Sequence, residues 1–151
     1  MIRDVSFMGS SFQSSPARFE AGTPPVADVV GMGAAIDFLT GFGVERLARH
    51  EELLLHHLMD GLRRLGKVSI IGSPEKRIAL VSFVVDGFDN SFIGKFFDDH
   101  GIAVRVGHHC AQPILRRLGT ETSVRPSLGI YNTIEEVDEF LSVLRHLISS
   151  V

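Results

Sequence analysis

The sequence predicts an α+β fold in which a small sheet of three or four strands is covered on one face by long helices. Three observations predict it. Segments with apolar residues at helical spacing, clearest over 44–65 and 133–149, alternate along the chain with short β-rich runs. Two of those runs, 68–71 and 77–85, are joined by the turn GSPEK, a hairpin signal. The other two, 102–106 and 123–128, each follow a short helical stretch, an order that suits one layer of strands under helices. At 151 residues the chain fits one domain, and a domain of that size buries roughly 70% of its unfolded surface.

Residues 1–7 read as a short strand, and the small polar stretch GSSFQSSP (9–16) reads as a loop or flexible arm. Pro24 and Pro25 mark a helix start, with Thr23 ahead of them as an N-cap. Gly22 and Thr23 also admit a second reading, in which the hydroxyl and free backbone N–H groups contact a phosphate. The helix over 26–42 carries Gly31, Gly33, Ala34 and Ala35, small residues that let another backbone approach, and Gly41 and Gly43 end it. The helix over 44–65 has a leucine stripe (Leu47, Leu54, Leu58, Leu62, Leu65) opposite Glu45, Arg49, Glu52 and Arg63. In the pair His56–His57 one ring is expected in water and the other partly packed. Residues 91–100 form an amphipathic helix stopped by Gly101, and 114–118 a short one. Thr133 and Glu136 make a capping-box pattern that opens the last helix, whose core face is Val137, Leu141, Leu144 and Ile148.

The chemistry concentrates in IAVRVGHHCAQP (102–113). Residues 102–106 alternate like a strand, Gly107 breaks the run, and Pro113 closes the loop, so His108, His109 and Cys110 are presented at a tip with Arg105 one step back. Positive charge near a thiol favours the thiolate, which is the nucleophilic form. The competing reading of a lone cysteine is a small buried hydrophobe, and the flanking glycine and proline argue against it. A metal site is disfavoured. Zinc wants four converging ligands from spaced pairs, and three adjacent residues do not supply them. Arg105 and Arg125 are each unremarkable as surface arginines. If their strands are neighbours, however, the two guanidinium groups flank one loop and can grip a carboxylate. Pro126 holds Arg125 extended and suits an edge or strand end.

Several function classes are disfavoured by composition. The net charge of −3 argues against a nucleic-acid surface, which needs a clustered basic face. A single cysteine allows no internal disulfide and suits a reducing, cytoplasmic setting. The N-terminus has Asp4 where a signal peptide needs a basic start, and no apolar run approaches the ~20 residues that span a bilayer.

With these residues in view, a family resemblance follows. RVGHHCAQP (Arg105–Pro113) resembles the active-cysteine loop of the type II cysteine desulfurases, the Suf-type and selenocysteine-lyase-like enzymes of the class-V aminotransferase superfamily. FEAGTP (Phe19–Pro24) and VRPSLGIYNTIEEVD (Val124–Asp138) match two further signatures in order and spacing, and GMGAAIDFL from Gly31 is similar to the helix after FEAGTP. The resemblance covers essentially the whole chain. It implies the C-terminal small domain of a fold-type I transferase dependent on pyridoxal phosphate (PLP), with residues 1–23 an arm left from the large domain and 24–151 the small domain. By position, Cys110 is then the nucleophile that takes sulfur from L-cysteine as a persulfide, releasing L-alanine. Arg125 anchors the substrate carboxylate, Arg105 and His109 line the same site, and His108 and His109 shape the loop. Thr23 and Gly22 are placed at the PLP phosphate, in this family across a homodimer interface. The resemblance also implies a Suf-type sulfur acceptor, iron–sulfur cluster assembly and a cytoplasmic location.

This chain departs from the family in lacking the large domain with its Schiff-base lysine. Lys67, Lys76 and Lys95 have the wrong context, so the chain alone is not expected to bind PLP. It is expected to need a lysine-bearing large-domain partner; the alternatives are a non-catalytic sulfur relay or interaction domain, or an inactive fragment. Pro25 and Pro126 are smaller departures.

Overall fold

The structure is a computed structural model and describes residues 1–150. The chain divides into two compact units, Met1–Val44 and Glu45–Val151.

The first unit begins with a hairpin of β1 (Ile2–Ser6) and β2 (Gly9–Phe12), so the start of GSSFQSSP is a strand and not the loop its composition suggests. Small polar residues carry little β preference of their own, and here the turn at Phe7–Met8 brings them into register with β1. A short 3₁₀ turn at Ala17–Phe19 precedes α1 (Val26–Phe42). Pro25, not Thr23, occupies the N-cap of α1, with no side-chain capping bond. Gly43 ends the helix with φ +85°. No residue of α1 is buried, although Val30, Met32, Ile36 and Phe38 are all apolar.

The second unit contains the sheet. Helix α2 (Val44–Arg64) leads into β3 (Val68–Ile71) and β4 (Ser82–Val85), then α3 (Asn90–Asp99), β5 (Arg105–Gly107), α4 (Gln112–Arg117), β6 (Ser123–Arg125) and α5 (Ile134–Ser149). The four strands lie in the order β3-β4-β6-β5, all antiparallel. Val85, Phe83, Val124 and Val106 alternate onto one face and pack with Leu54, Leu58 and Leu62 of α2, Ile93 and Phe97 of α3, and Leu141 and Leu144 of α5. The Phe97 and Phe140 rings stack at 4.5 Å in this core. Each fully buried Leu or Phe contributes roughly 1.5–3 kcal/mol. The expected α+β layer, with long helices on one face of a four-stranded sheet, is therefore what the chain adopts.

Three strand bounds differ from the sequence reading. The runs 77–85 and 123–128 pair regularly only over Ser82–Val85 and Ser123–Arg125. Pro126 has no N–H to give the ladder, so beyond it the pairing loosens to a Leu80–Ser127 bridge and the bonds Val81 N–H to Pro126 C=O and Leu128 N–H to Ala79 C=O. The strand expected at 102–106 starts at Arg105, and the end of α3 claims Ile102, the first residue of that run. Gly101 N–H bonds Asp98 C=O and Ile102 N–H bonds Phe97 C=O, a Schellman ending with Gly101 at φ +72°. Where α5 starts, the capping box is present in full. Thr133 Oγ1 accepts from Glu136 N–H at 3.3 Å, and Thr133 N–H donates to Glu136 Oε2 at 3.0 Å. The core face of α5 adds Phe140 and Leu147 to Val137, Leu141 and Leu144, and leaves Ile148 half-buried.

Candidate active site

Strand β5 is an edge of the sheet, and its register against β6 sets the site. Arg105 stands opposite Arg125, Val106 opposite Val124 and Gly107 opposite Ser123. Since Val106 and Val124 face the core, period-2 alternation puts Arg105, Arg125 and Ser123 together on the other face. The sequence left open whether the two arginine strands were neighbours; they are. Arg105 is exposed and Arg125 half-buried, and Arg125 Nε is buried with no acceptor. Neither guanidinium is ion-paired with a carboxylate among the described residues. Two like charges opposite each other on one strand pair repel. That arrangement suits an anion arriving from outside, held by charge-assisted bonds.

Past Gly107 the chain leaves the sheet and turns sharply. His109 and Cys110 are both left-handed, with φ +53° and +56°. Two successive non-glycine residues in that region carry strain that the surroundings must offset. The offset comes from a small set of bonds. Cys110 N–H donates to His108 Nδ1 at 3.0 Å, and Ala111 N–H donates to His108 C=O at 2.8 Å. His109 Nε2 lies 3.1 Å from Ser123 C=O and 3.0 Å from Ser123 Oγ. A carbonyl oxygen only accepts, so Nε2 carries the proton of the neutral ring. Burial lowers the His109 pKa; the bond to the Ser123 carbonyl raises it, and Arg125, Arg105 and His108 lower it further. The Cys110 thiol is exposed at the apex of this turn, as an accessible nucleophile must be.

Ser123, the one fully buried polar residue among the described residues, is part of this site, although nothing in the sequence singles it out. A serine opening a β-rich run carries no local mark of a partner fourteen residues upstream. Gly22, with φ +82°, and Thr23 lie in the first unit, where Thr23 is left free of a capping role. His56 is exposed, while half-buried His57 pairs with Asp138 at 2.7 Å, so that pair belongs to the α2–α5 surface. Among the described residues no group of three His, Cys, Asp or Glu side chains is arranged to hold a metal ion, and no single helix is long and apolar enough to cross a membrane.

Residues 1–140 match the sequence profile of the class-V aminotransferases. Over 147 residues the chain is 47% identical to a cysteine desulfurase of Synechococcus elongatus, covering 97% of this chain and 24% of that protein. The structure superposes on the apo cysteine desulfurase of Thermococcus onnurineus with TM-score 0.88 and 38% identity, over 99% of this chain and 38% of that one. It also superposes on the S-sulfonic acid form of the cysteine desulfurase CsdA of Escherichia coli with TM-score 0.88 and 30% identity, over 100% and 37%. The chain thus spans between about a quarter and two fifths of the proteins it matches.

Proposed function

The chain belongs to the class-V aminotransferase family, and from that premise we propose that it is the C-terminal, cysteine-bearing part of a PLP-dependent cysteine desulfurase. One observation carries the reading: an exposed thiol on the turn that follows β5, the strand in which Arg105 stands opposite Arg125, with neither arginine ion-paired to a carboxylate among the described residues. L-Cysteine presents a carboxylate for Arg125, with Arg105 beside it, and a sulfur for Cys110. As the substrate Cβ–S bond breaks, its electron pair stays on carbon, which takes a proton and leaves as alanine. The sulfur bonds to Cys110 Sγ as a persulfide. A Suf-type acceptor then takes it toward iron–sulfur cluster assembly in the cytoplasm.

PLP, when bound, would supply the electron sink for that bond cleavage. The residues of this chain do not make its cradle. Lys95 is paired with Asp99 at 3.1 Å, and Lys67 and Lys76 are exposed beside sheet turns. By the family pattern Gly22 and Thr23 make the phosphate contact, which in this reading is made across a homodimer. A lysine-bearing large domain completes the site, with residues 1–23 belonging to its side and 24–151 to the small domain. The apolar, unburied surface of α1 supports this, since exposed apolar residues in number call for a covering partner.

The test combines the chain with the lysine-bearing large domain of a relative, PLP and L-cysteine. Alanine release and one added sulfur on Cys110 by mass spectrometry are expected, both lost in Cys110→Ser. No alanine with both pieces folded sinks the reading. Sulfur accepted from a persulfide donor without alanine release favours the non-catalytic relay instead.

A further inference from the structure

We propose that His109 is a positioning residue that holds the Cys110 turn in place through Ser123. The inference deepens the reading of Cys110 as the sulfur-accepting thiol, but it stands on loop geometry that can be measured without turnover. Ser123 is both the cross-strand partner of Gly107 and the hydrogen-bond partner of the His109 ring. Residues 107–109 are therefore closed onto a single buried residue, two positions apart along the loop. Cys110 follows directly, in the second of two successive left-handed conformations.

Among the described residues no other polar group holds the ring. His109 Nδ1 is buried and has no partner, so the contact through Nε2 is the whole of its polar anchorage. The same facts argue against other roles for this imidazole. Nε2 is occupied by Ser123, and Nδ1 is shielded from solvent, so neither nitrogen is open to an incoming ligand. His109, placed with the substrate contacts by the family pattern, acts here one residue away from the chemistry. His108 does complementary work within the turn, accepting the Cys110 N–H on Nδ1 and the Ala111 N–H on its carbonyl. With the His109 ring released, the two left-handed residues lose the contact that offsets their strain, and those amides lose their fixed acceptors.

The experiment is residue-resolved hydrogen exchange and ¹⁵N NMR on the full 151-residue chain. In the unsubstituted chain the His109 spectrum should show the neutral ring protonated on Nε2; a ring protonated on Nδ1, or averaging between the two, overturns the proposal without any variant. His109→Leu should speed exchange at the Cys110 and Ala111 amides about tenfold, the scale of one lost hydrogen bond, with Phe83 and Val85 unchanged. His109→Gln, which returns an amide donor near the place of Nε2, should bring both rates back to within about threefold of the parent. Ser123→Ala keeps the carbonyl acceptor, removes the hydroxyl, and should give an intermediate increase. If His109→Leu fails to fold, the Ser123→Ala and His109→Gln rates decide. Parent-like exchange in Ser123→Ala, or no difference between Leu and Gln at 109, overturns the proposal. A Cys110 that never takes up sulfur counts against the function proposed above and leaves these rates untouched.

Discussion

Arg105 and Arg125 face each other directly across the β5–β6 ladder, on the side of the sheet away from the core, and no carboxylate of the described chain neutralises either. The pair costs the isolated chain some stability through like-charge repulsion. Arg125→Ala should accordingly leave urea unfolding within about 0.5 kcal/mol of the parent or slightly raise it. In the completed enzyme the same change should raise KM for L-cysteine about 10- to 100-fold, the scale of one charge-assisted bond. Arg125→Lys should recover only part of it, since an ammonium lacks the planar fork. A KM unchanged by both substitutions removes Arg125 from the substrate site.

Gly94 of α3 reaches β5 from the core side. A Cβ built on it falls 2.4 Å from Val106 Cγ2, a distance no real pair tolerates. Valine is stiff at χ1 and is held here in a paired strand, so relief has to come from the backbone. Gly94→Ala should destabilise by about 1–3 kcal/mol through overpacking, offset by up to about 1 kcal/mol of helix propensity. Gly61→Ala meets Leu141 Cδ1 at 2.1 Å and should cost a comparable amount. The two should differ in reach. Amide shifts at residues 105–111 should move in Gly94→Ala and stay in place in Gly61→Ala. Equal spectra for the two would show that β5 does not transmit the change.

Much of this was written locally in the chain. The leucine stripe of α2 fixes a buried face, and Leu54, Leu58 and Leu62 are indeed buried. Thr133 and Glu136 mark the start of α5 with two reciprocal bonds, because both partners lie within one turn. What local pattern cannot carry is a partnership made across the fold. Ser123 is an ordinary strand serine until His109 is seen against it, and the strand at Gly9–Phe12 exists through its pairing with β1. Thr23 shows the reverse error: the prolines after it signal a helix start correctly, but the cap falls on Pro25. For α1, the small residues Gly31, Gly33, Ala34 and Ala35 indicate that another backbone can approach and are silent about which.

Thr133→Ala should destabilise the second unit by about 1 kcal/mol, the usual scale of a lost cap. The Asn132 side chain, and after it the Thr133 N–H, hold the Glu136 carboxyl below the ordinary glutamate range. A folded-state pKa lowered in this way gives stability that is present above the unfolded value and lost as pH falls through the folded one. Glu136→Gln should flatten the acid limb of stability against pH in that range while leaving the neutral region little changed. Parallel acid limbs would mean that the carboxylate contributes nothing to the cap.

His109 gives a separate pH dependence, at higher pH and with its own sign. Its folded-state pKa lies below the ordinary histidine value of about 6.5, first because the ring is buried and then, against the raising effect of the Ser123 carbonyl, because Arg125, Arg105 and His108 repel a second positive charge. The unfolded chain therefore binds a proton here before the folded chain does. Stability is complete above about pH 6.5 and declines as pH falls from there through the lowered value. The added proton has to sit on Nδ1, which is buried and has no acceptor, while Nε2 keeps its bond to Ser123. His109→Gln removes the titration and keeps a donor, so between pH 7 and 5 its unfolding free energy should fall less than that of the parent. Arg125→Ala takes away one of the repelling charges and should narrow the same decline from the other side. Urea titrations of the three proteins at matched ionic strength decide it: identical slopes for parent and His109→Gln would mean that this ring does not titrate with folding.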